Sequence, residues 1–317
     1  MTQTADPAAT PAQPGSDQES HPLGPWLVFA SAAVWSLGGL IARLAEVDNP
    51  WTTIVWRAGT ATLFLLVFML IRDGRAGTLQ LFARMGPAGL AVGVCFAIAS
   101  TAFVVALQFT TVANVLLMQA GVPLIAALIS RVLFGEPLRL VTGIAIAAVI
   151  AGVAVMVSDS LTGRVSPIGD GLSLLIALSF ATATVITRRK AGIRMTPAVC
   201  VGSAIGCAAA LVMSFVTAGG IAVELWQFPI LAVFGISLGL GMALFTQGAR
   251  LIPSAFAALL GTAEVILGPF WVWLFLAETP TPRTIIGGAI VLAAIVAYLI
   301  WQISHQRRIR QLAPPAM

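Results

Sequence analysis

Residues 112–143 read VANVLLMQAGVPLIAALISRVLFGEPLRLVTG, and residues 253–288 read PSAFAALLGTAEVILGPFWVWLFLAETPTPRTIIGG. Each stretch opens on small residues and runs through an apolar segment with an internal proline, Pro123 in one and Pro269 in the other. Each closes on an aromatic residue or leucine, a small residue and a glutamate, then a turn carrying arginine and a glycine-bearing apolar run. Glu136 and Glu278 align at an offset of 142 residues. Apolar helices resemble one another by composition alone, but the coincidence of glutamate, turn and following glycine points to an internal duplication.

Composition says what kind of solvent the duplicated unit meets. Of 317 residues, 59% are hydrophobic and 9% charged, with a mean hydropathy of +0.98; soluble domains average about 25% charged residues. A bilayer-crossing helix needs roughly 20 apolar residues. Turn residues and charges divide the chain into ten such runs, over 26–43, 51–71, 87–107, 111–133, 139–157, 168–187, 197–217, 228–249, 254–277 and 283–303. The runs are long and uniformly apolar, without the alternation of a transmembrane barrel, and only helices or closed barrels satisfy the backbone in lipid. The expected fold is an all-α membrane protein of ten transmembrane helices in two inverted five-helix repeats, 26–157 and 168–303. Residues 1–25, rich in Pro, Ala, Gln and Ser with no Lys or Arg, read as a disordered cytoplasmic tail rather than a signal peptide. Residues 304–317 read as a basic cytoplasmic tail.

Basic residues orient the spans. The tails and even-numbered loops together hold 13 of them: Arg72, Arg75, Arg84, Arg131, Arg139, Arg188, Arg189, Lys190, Arg194, Arg250, Arg307, Arg308 and Arg310. The opposite side holds 3, namely Arg43, Arg164 and Arg283, and Arg57 lies within a span. Both termini are therefore expected in the cytoplasm, with the chain in the cytoplasmic membrane. Five spans per copy make the second copy enter from the other side, so Glu136 and Glu278 fall at opposite faces. That is the plan of many secondary transporters, whose substrate site lies near the midplane between the repeats.

Several chemistries lack their residues. The single lysine, Lys190, sits in TRRKAG and not in a phosphate-binding loop, so any driving force must be a gradient or a separate ATPase. His21 and His305 lie in the tails and provide no intramembrane proton relay. Cys95, Cys200 and Cys207 have no metal-site spacing and read as small core residues. No cofactor, metal or nucleic-acid partner is expected.

The chain resembles the EamA family of the drug/metabolite transporter superfamily. The resemblance is carried by AAVWSLGGLIAR (32–43), PWTTIVWRAGTATLFLL (50–66), ALQFTTVANVLLMQAGVPLIAALISRVLFGEP (106–137) and ALFTQGARLIPSAFAALLGTAEVILGPFWVWLFLAE (243–278). It spans about 26–303 and implies two EamA repeats around a central cavity. It implies export of amino acids, other metabolites or toxic compounds, with import in some members. It does not indicate the substrate.

Asp170 and the other acidic residues read as lying in tails, loops or at span ends, with Glu136 and Glu278 terminating spans; only Glu264 lies well inside a span, ten residues after Ser254 and 14 before Glu278. Helical rise puts it roughly 15 and 21 Å from the two ends, near mid-depth. A carboxylate there is expensive and faces the bundle or a wet cavity. It is read as a proton or substrate-amine site, against the alternative of a protonated side chain hydrogen-bonded to a neighbouring helix. Pro269 removes the amide that would serve the Val265 carbonyl, and Pro123 does the same for Gln119, so both repeats are expected to bring a bent helix to mid-depth. Arg57, roughly 9 Å inside the second span, is read first as snorkelling to the headgroups. Its other reading is an inward Arg that pairs with a carboxylate or a substrate anion, which the family resemblance strengthens. Asn114, Gln119, Gln247, Gln108, Ser100 and Thr101 are polar groups near or inside spans and serve as site lining or as helix glue. Gln247 falls opposite Val105 under the 142 offset, without a polar mate. Trp35 offers a flat amphipathic surface to a substrate, with core packing the stronger reading.

Three function classes compete. A secondary transporter accounts for an inverted duplication and a solitary mid-membrane carboxylate. A lipid-modifying membrane enzyme needs His, Asp or Glu clustered at an interface, and the sequence has none. A membrane scaffold needs neither feature. The expected partners are a small-molecule substrate, the lipid bilayer, and protons or a counter-substrate; glycine patterns leave monomer against dimer open, and substrate direction rests on the family lean toward export.

Overall fold

The computed structural model describes residues 23–135, 140–161, 166–190, 194–249, 251–252 and 254–312. Glu136, on which half of the repeat alignment rests, lies outside the described residues, as do residues 1–22 and 313–317 of the two tails. Among the described residues every regular element is a helix. They are α1 (Leu23–Ser36), α2 (Gly38–Leu44), α3 (Pro50–Ala106), α4 (Val112–Ala120), α5 (Val122–Phe134), α6 (Leu140–Leu161), α7 (Pro167–Arg189), α8 (Met195–Ala218), α9 (Gln227–Gly248), α10 (Ser254–Gly261), α11 (Ala263–Leu276) and α12 (Pro282–Leu312).

Local chemistry explains the ends. The Asn49 Oδ1 accepts from the amides of Trp51 (2.9 Å) and Thr52 (3.4 Å), and Pro50 occupies the first turn, where a missing N–H costs nothing. Thr111 caps α4 by accepting from the Asn114 amide at 3.2 Å, and Ser166 caps α7 through Ile168 at 3.3 Å. Gly135 (φ 65°) and Gly219 (φ 71°) end α5 and α8 in the left-handed conformation that glycine adopts without strain.

Eight helical stretches are long and apolar enough to cross a membrane, or nine when α4 and α5, bent by 44° at Gly121, count as one span. The ten expected spans differ from this number because α3 runs unbroken for 57 residues by its hydrogen bonds. At 1.5 Å per residue it would be roughly 85 Å long, nearly three times the hydrocarbon thickness. Its backbone leaves helical geometry at Gly74 (φ 70°) and Gly86 (φ 57°), which separate arms over 50–73 and 87–106. Those arms correspond to the second and third expected spans.

The interruption at Gly121 recurs in the second half at Thr262. The Gly121 amide donates to the Met118 carbonyl (3.3 Å) and the Leu124 amide to the Gly121 carbonyl (3.0 Å). The Thr262 amide donates to Leu259 (3.2 Å), among its partners, and the Val265 amide to Thr262 (3.1 Å). An offset of 141 residues carries the first pair of bonds onto the second. The prolines are not equivalent under it, although both halves carry the expected interruption. Pro123 sits in the first turn of α5, directly after the 44° bend and without the amide a continuous helix would offer to Gln119, and Pro269 sits inside α11. The repeated feature is a pinched turn.

Close helix contacts are reciprocal between the halves. A Cβ placed on Gly202 of α8 would clash with the Gly93 carbonyl oxygen of α3, and one on Gly235 of α9 would clash with the Thr60 Oγ1 of α3. The 142-residue offset takes position 93 to 235 and position 60 to 202, so each contact is the image of the other with the partners exchanged. A two-fold relation between repeats produces such exchange. Around this frame Val115, Met118, Leu124, Ile176, Val272 and Ile295 form the main core, centred on α4. Large apolar side chains such as Ile71, Val132, Leu140 and Phe275 point outward, as they do on a lipid-facing surface.

Candidate functional site

Three interrupted helices define the middle of the molecule: α1–α2 at Leu37, α4–α5 at Gly121 and α10–α11 at Thr262. Glu264 is the second residue of α11. The break that starts α11 therefore places the carboxylate in a first helical turn, where unpaired amides and the macrodipole favour negative charge. Among the described residues no side chain or amide forms a hydrogen bond or ion pair with the Glu264 carboxylate, which is half-buried. The packing-glue reading calls for a partner on a neighbouring helix, and none is present among the described residues. One turn on, Gly268 lets α11 approach α1, with position 268 facing the Ser36 carbonyl and Leu116. Trp271 Nε1 then donates to Ser36 Oγ at 3.0 Å.

Trp35 looks the other way from the same segment. Its Nε1 donates to the Leu238 carbonyl at 3.2 Å, its ring lies over Gly241, and Phe245 packs at 5.7 Å. This is a packing role that ties α1 to α9. Gln247, near the end of α9, is exposed and does not join this group. Gln119, at the end of α4, has a buried Nε2 with no partner among the described residues.

Arg57 does not snorkel, and the bland expectation is corrected here. Its side chain is buried inside the bundle, 8% exposed. The guanidinium carbon lies 4.5 Å from the centroid of Phe234 and 5.4 Å from that of Phe103, and Nη1 donates to the Ser100 carbonyl (3.1 Å) and Oγ (3.2 Å). Nε is buried and unpartnered. A desolvated cation–π contact is worth about 2 kcal/mol, whereas removing a cation from water costs several kcal/mol. Two rings and one serine leave the charge incompletely offset. Snorkelling was favoured because the sequence does not show which face of the helix meets lipid.

Asn114 belongs to a separate cluster. Its Nδ2 donates to Asp170 Oδ1 (2.6 Å) and Thr110 Oγ1 (3.0 Å). Asp170 was assigned to a span end; it does sit in the first turn of α7, yet it is only 3% exposed. Sequence reasoning also missed a clasp between the halves. Arg43 Nε donates to Glu278 Oε2 at 3.1 Å, Nη1 to the Leu107 carbonyl at 2.7 Å and Nη2 to the Thr110 carbonyl at 3.0 Å. The Val112 amide donates to Glu278 Oε1 at 2.8 Å. The aligned glutamates were the available signal, but they do not name Arg43 as the partner.

On one side of the broken α1–α2 segment Arg57 packs on Phe234, which meets Gly38; on the other Ser36 meets Trp271 and Gly268 of α11, the helix that carries Glu264. Two halves with matching helix breaks, each too apolar to stand in water, define a multi-pass membrane protein built by duplication. The EamA-like transporter family model matches residues 22–158 and 167–300, and the chain belongs to that family, a group of membrane transporters of the drug/metabolite type. No curated protein matches. Twenty-two chains of solved structures match. One, titled only "Crystal structure of protein", aligns at a TM-score of 0.59 and 18% identity over 88% of this chain and 97% of its own, which bears on the fold alone.

Proposed function

We propose that this protein is a secondary transporter that moves a small metabolite, an amino acid or related compound or a drug, across the cytoplasmic membrane. The proposed direction is export, by alternating access. In this reading the chain crosses ten times, the arms of α3 being two spans, and the repeats over 26–157 and 168–303 are inverted with both termini cytoplasmic. The reciprocal glycine contacts and the 13-to-3 distribution of basic residues support that topology.

The carrying observation is Glu264: an unpartnered carboxylate at a helix interruption, within a half that mirrors the other. Discontinuous helices whose half-helix ends face the site are a recurrent device of transporters with repeated halves. A scaffold has no use for so costly a group. Purified protein in proteoliposomes is expected to move labelled amino acids or drugs from a panel down an imposed proton or substrate gradient, at rates well above protein-free vesicles. Rates equal to those of protein-free vesicles across the panel, for a protein that remains folded, would count against transport.

A further inference from the structure

We infer that Arg57 is the binding group for a substrate carboxylate, so that the transported molecule is a zwitterionic metabolite of the amino-acid type; this rests on the transport reading above. The in-plane geometry carries it. Phe103 and Phe234 cover the guanidinium, and Nη1 is occupied by Ser100. Nε has no partner, and Nη2 makes no hydrogen bond among the described residues. Nε and Nη2 together form the side-on edge that a carboxylate meets with two parallel hydrogen bonds. A buried cation with that edge unused is complementary to one planar, singly charged oxyanion.

A route to it exists. A cavity of about 450 Å³ at the Arg43 face is lined in part by Ala42, Thr53, Val104 and Leu107. Thr53 lies four residues before Arg57, Val104 four after Ser100, and Leu107 four after Phe103. Ala42 lies four after Gly38, against which Phe234 packs. Residues four apart share a helix face one turn away, so the cavity floor stands one turn from the Arg57 site on each wall. Phe103 and Phe234 cover the guanidinium, so in this reading entry requires these rings to move.

The vestibule and the walls select the ligand class. Glu46 and Asp48 line the cavity beside Arg43. A free mineral anion is disfavoured there, while a zwitterion brings its own ammonium group. The aromatic and aliphatic walls suit an apolar side chain.

The test is binding to the full-length, detergent-purified protein by calorimetry and thermal shift. The probes are L-leucine and L-phenylalanine, with leucinol and phenylalaninol as mates lacking the carboxylate and sodium chloride as the simple anion. At least one amino acid is expected to bind tenfold or more tightly than its alcohol, a difference set by the charge-assisted pair. Arg57→Gln should remove that difference, and Arg57→Lys should restore part of it. Arg57→Met, which removes an incompletely paired buried cation, should leave the ligand-free melting temperature unchanged or higher. Equal binding of acid and alcohol, binding of neither amino acid, the same stabilisation by chloride, or a ligand-free Arg57→Met protein that melts well below wild type would each overturn the inference. Arg57-dependent binding in a protein that moves nothing across vesicles would leave the inference standing and sink the transport reading.

Discussion

A single polar side chain in this bundle takes its meaning from what stands opposite it. Asn114 and Glu264 look alike along the chain, each a polar group in an apolar run, and the structure separates them. Asn114 donates to the buried Asp170 at 2.6 Å and is part of the scaffold. Glu264 makes no hydrogen bond or ion pair among the described residues. Asn114→Ala should therefore lower the melting temperature in detergent, by the equivalent of about 1.5–3 kcal/mol, because a hydrogen bond to a buried charged group is lost. Substrate affinity measured by calorimetry should stay near wild type. Lost affinity with an unchanged melting temperature would move Asn114 into the site. The single acidic residue within a span could be found by counting charges along the sequence. The burial of Arg57 and Asp170 could not, since periodicity does not say which helix face meets protein and which meets lipid.

Elements are held together here by small residues placed where backbones touch. The pairs Gly93–Gly202 and Thr60–Gly235 are images of each other and bring α8 and α9 against the two arms of α3. Gly202→Val drives a side chain into the Gly93 carbonyl oxygen, and Gly235→Val drives one into Thr60 and the Arg57 carbonyl. Both should destabilise by about 1–3 kcal/mol, as overpacking does. Gly143→Ala in α6 meets nothing within 4 Å and should gain about 0.5–1 kcal/mol from helix propensity. Thermal unfolding in detergent orders the three; a Gly235→Val protein as stable as wild type would deny the reciprocal packing. Glycine patterns were visible in the sequence. Their pairing was not, because it depends on the fold. The bend ahead of Pro123 was legible in the sequence, and the hydrogen bonds place it at Gly121, two residues before the proline.

At the scale of the whole molecule, duplication was legible from two glutamates 142 residues apart, and the family match over 22–158 and 167–300 shows two repeats. The inter-half clasp of Arg43 and Glu278 was not legible, since a basic residue at a span end reads equally well as a topology signal. The clasp joins α2 and the Leu107–Thr110 turn to the end of α11. If transport requires this face to open, Arg43→Cys with Glu278→Cys, in a protein whose Cys95, Cys200 and Cys207 are replaced by Ser, should stop turnover when oxidised and recover with reductant. Full turnover of the cross-linked protein would show that the clasp does not gate.

The central claim, that the Glu264 charge serves transport, is tested most directly by flux through proteoliposomes over a pH series. Wild type is compared with Glu264→Gln, which keeps size and hydrogen bonding but cannot ionise. The account predicts a folded variant with flux lost or uncoupled: pH dependence disappears if the carboxylate carries a proton, and apparent affinity falls with pH dependence intact if it holds a substrate amine. Wild-type flux in Glu264→Gln at every pH would contradict it.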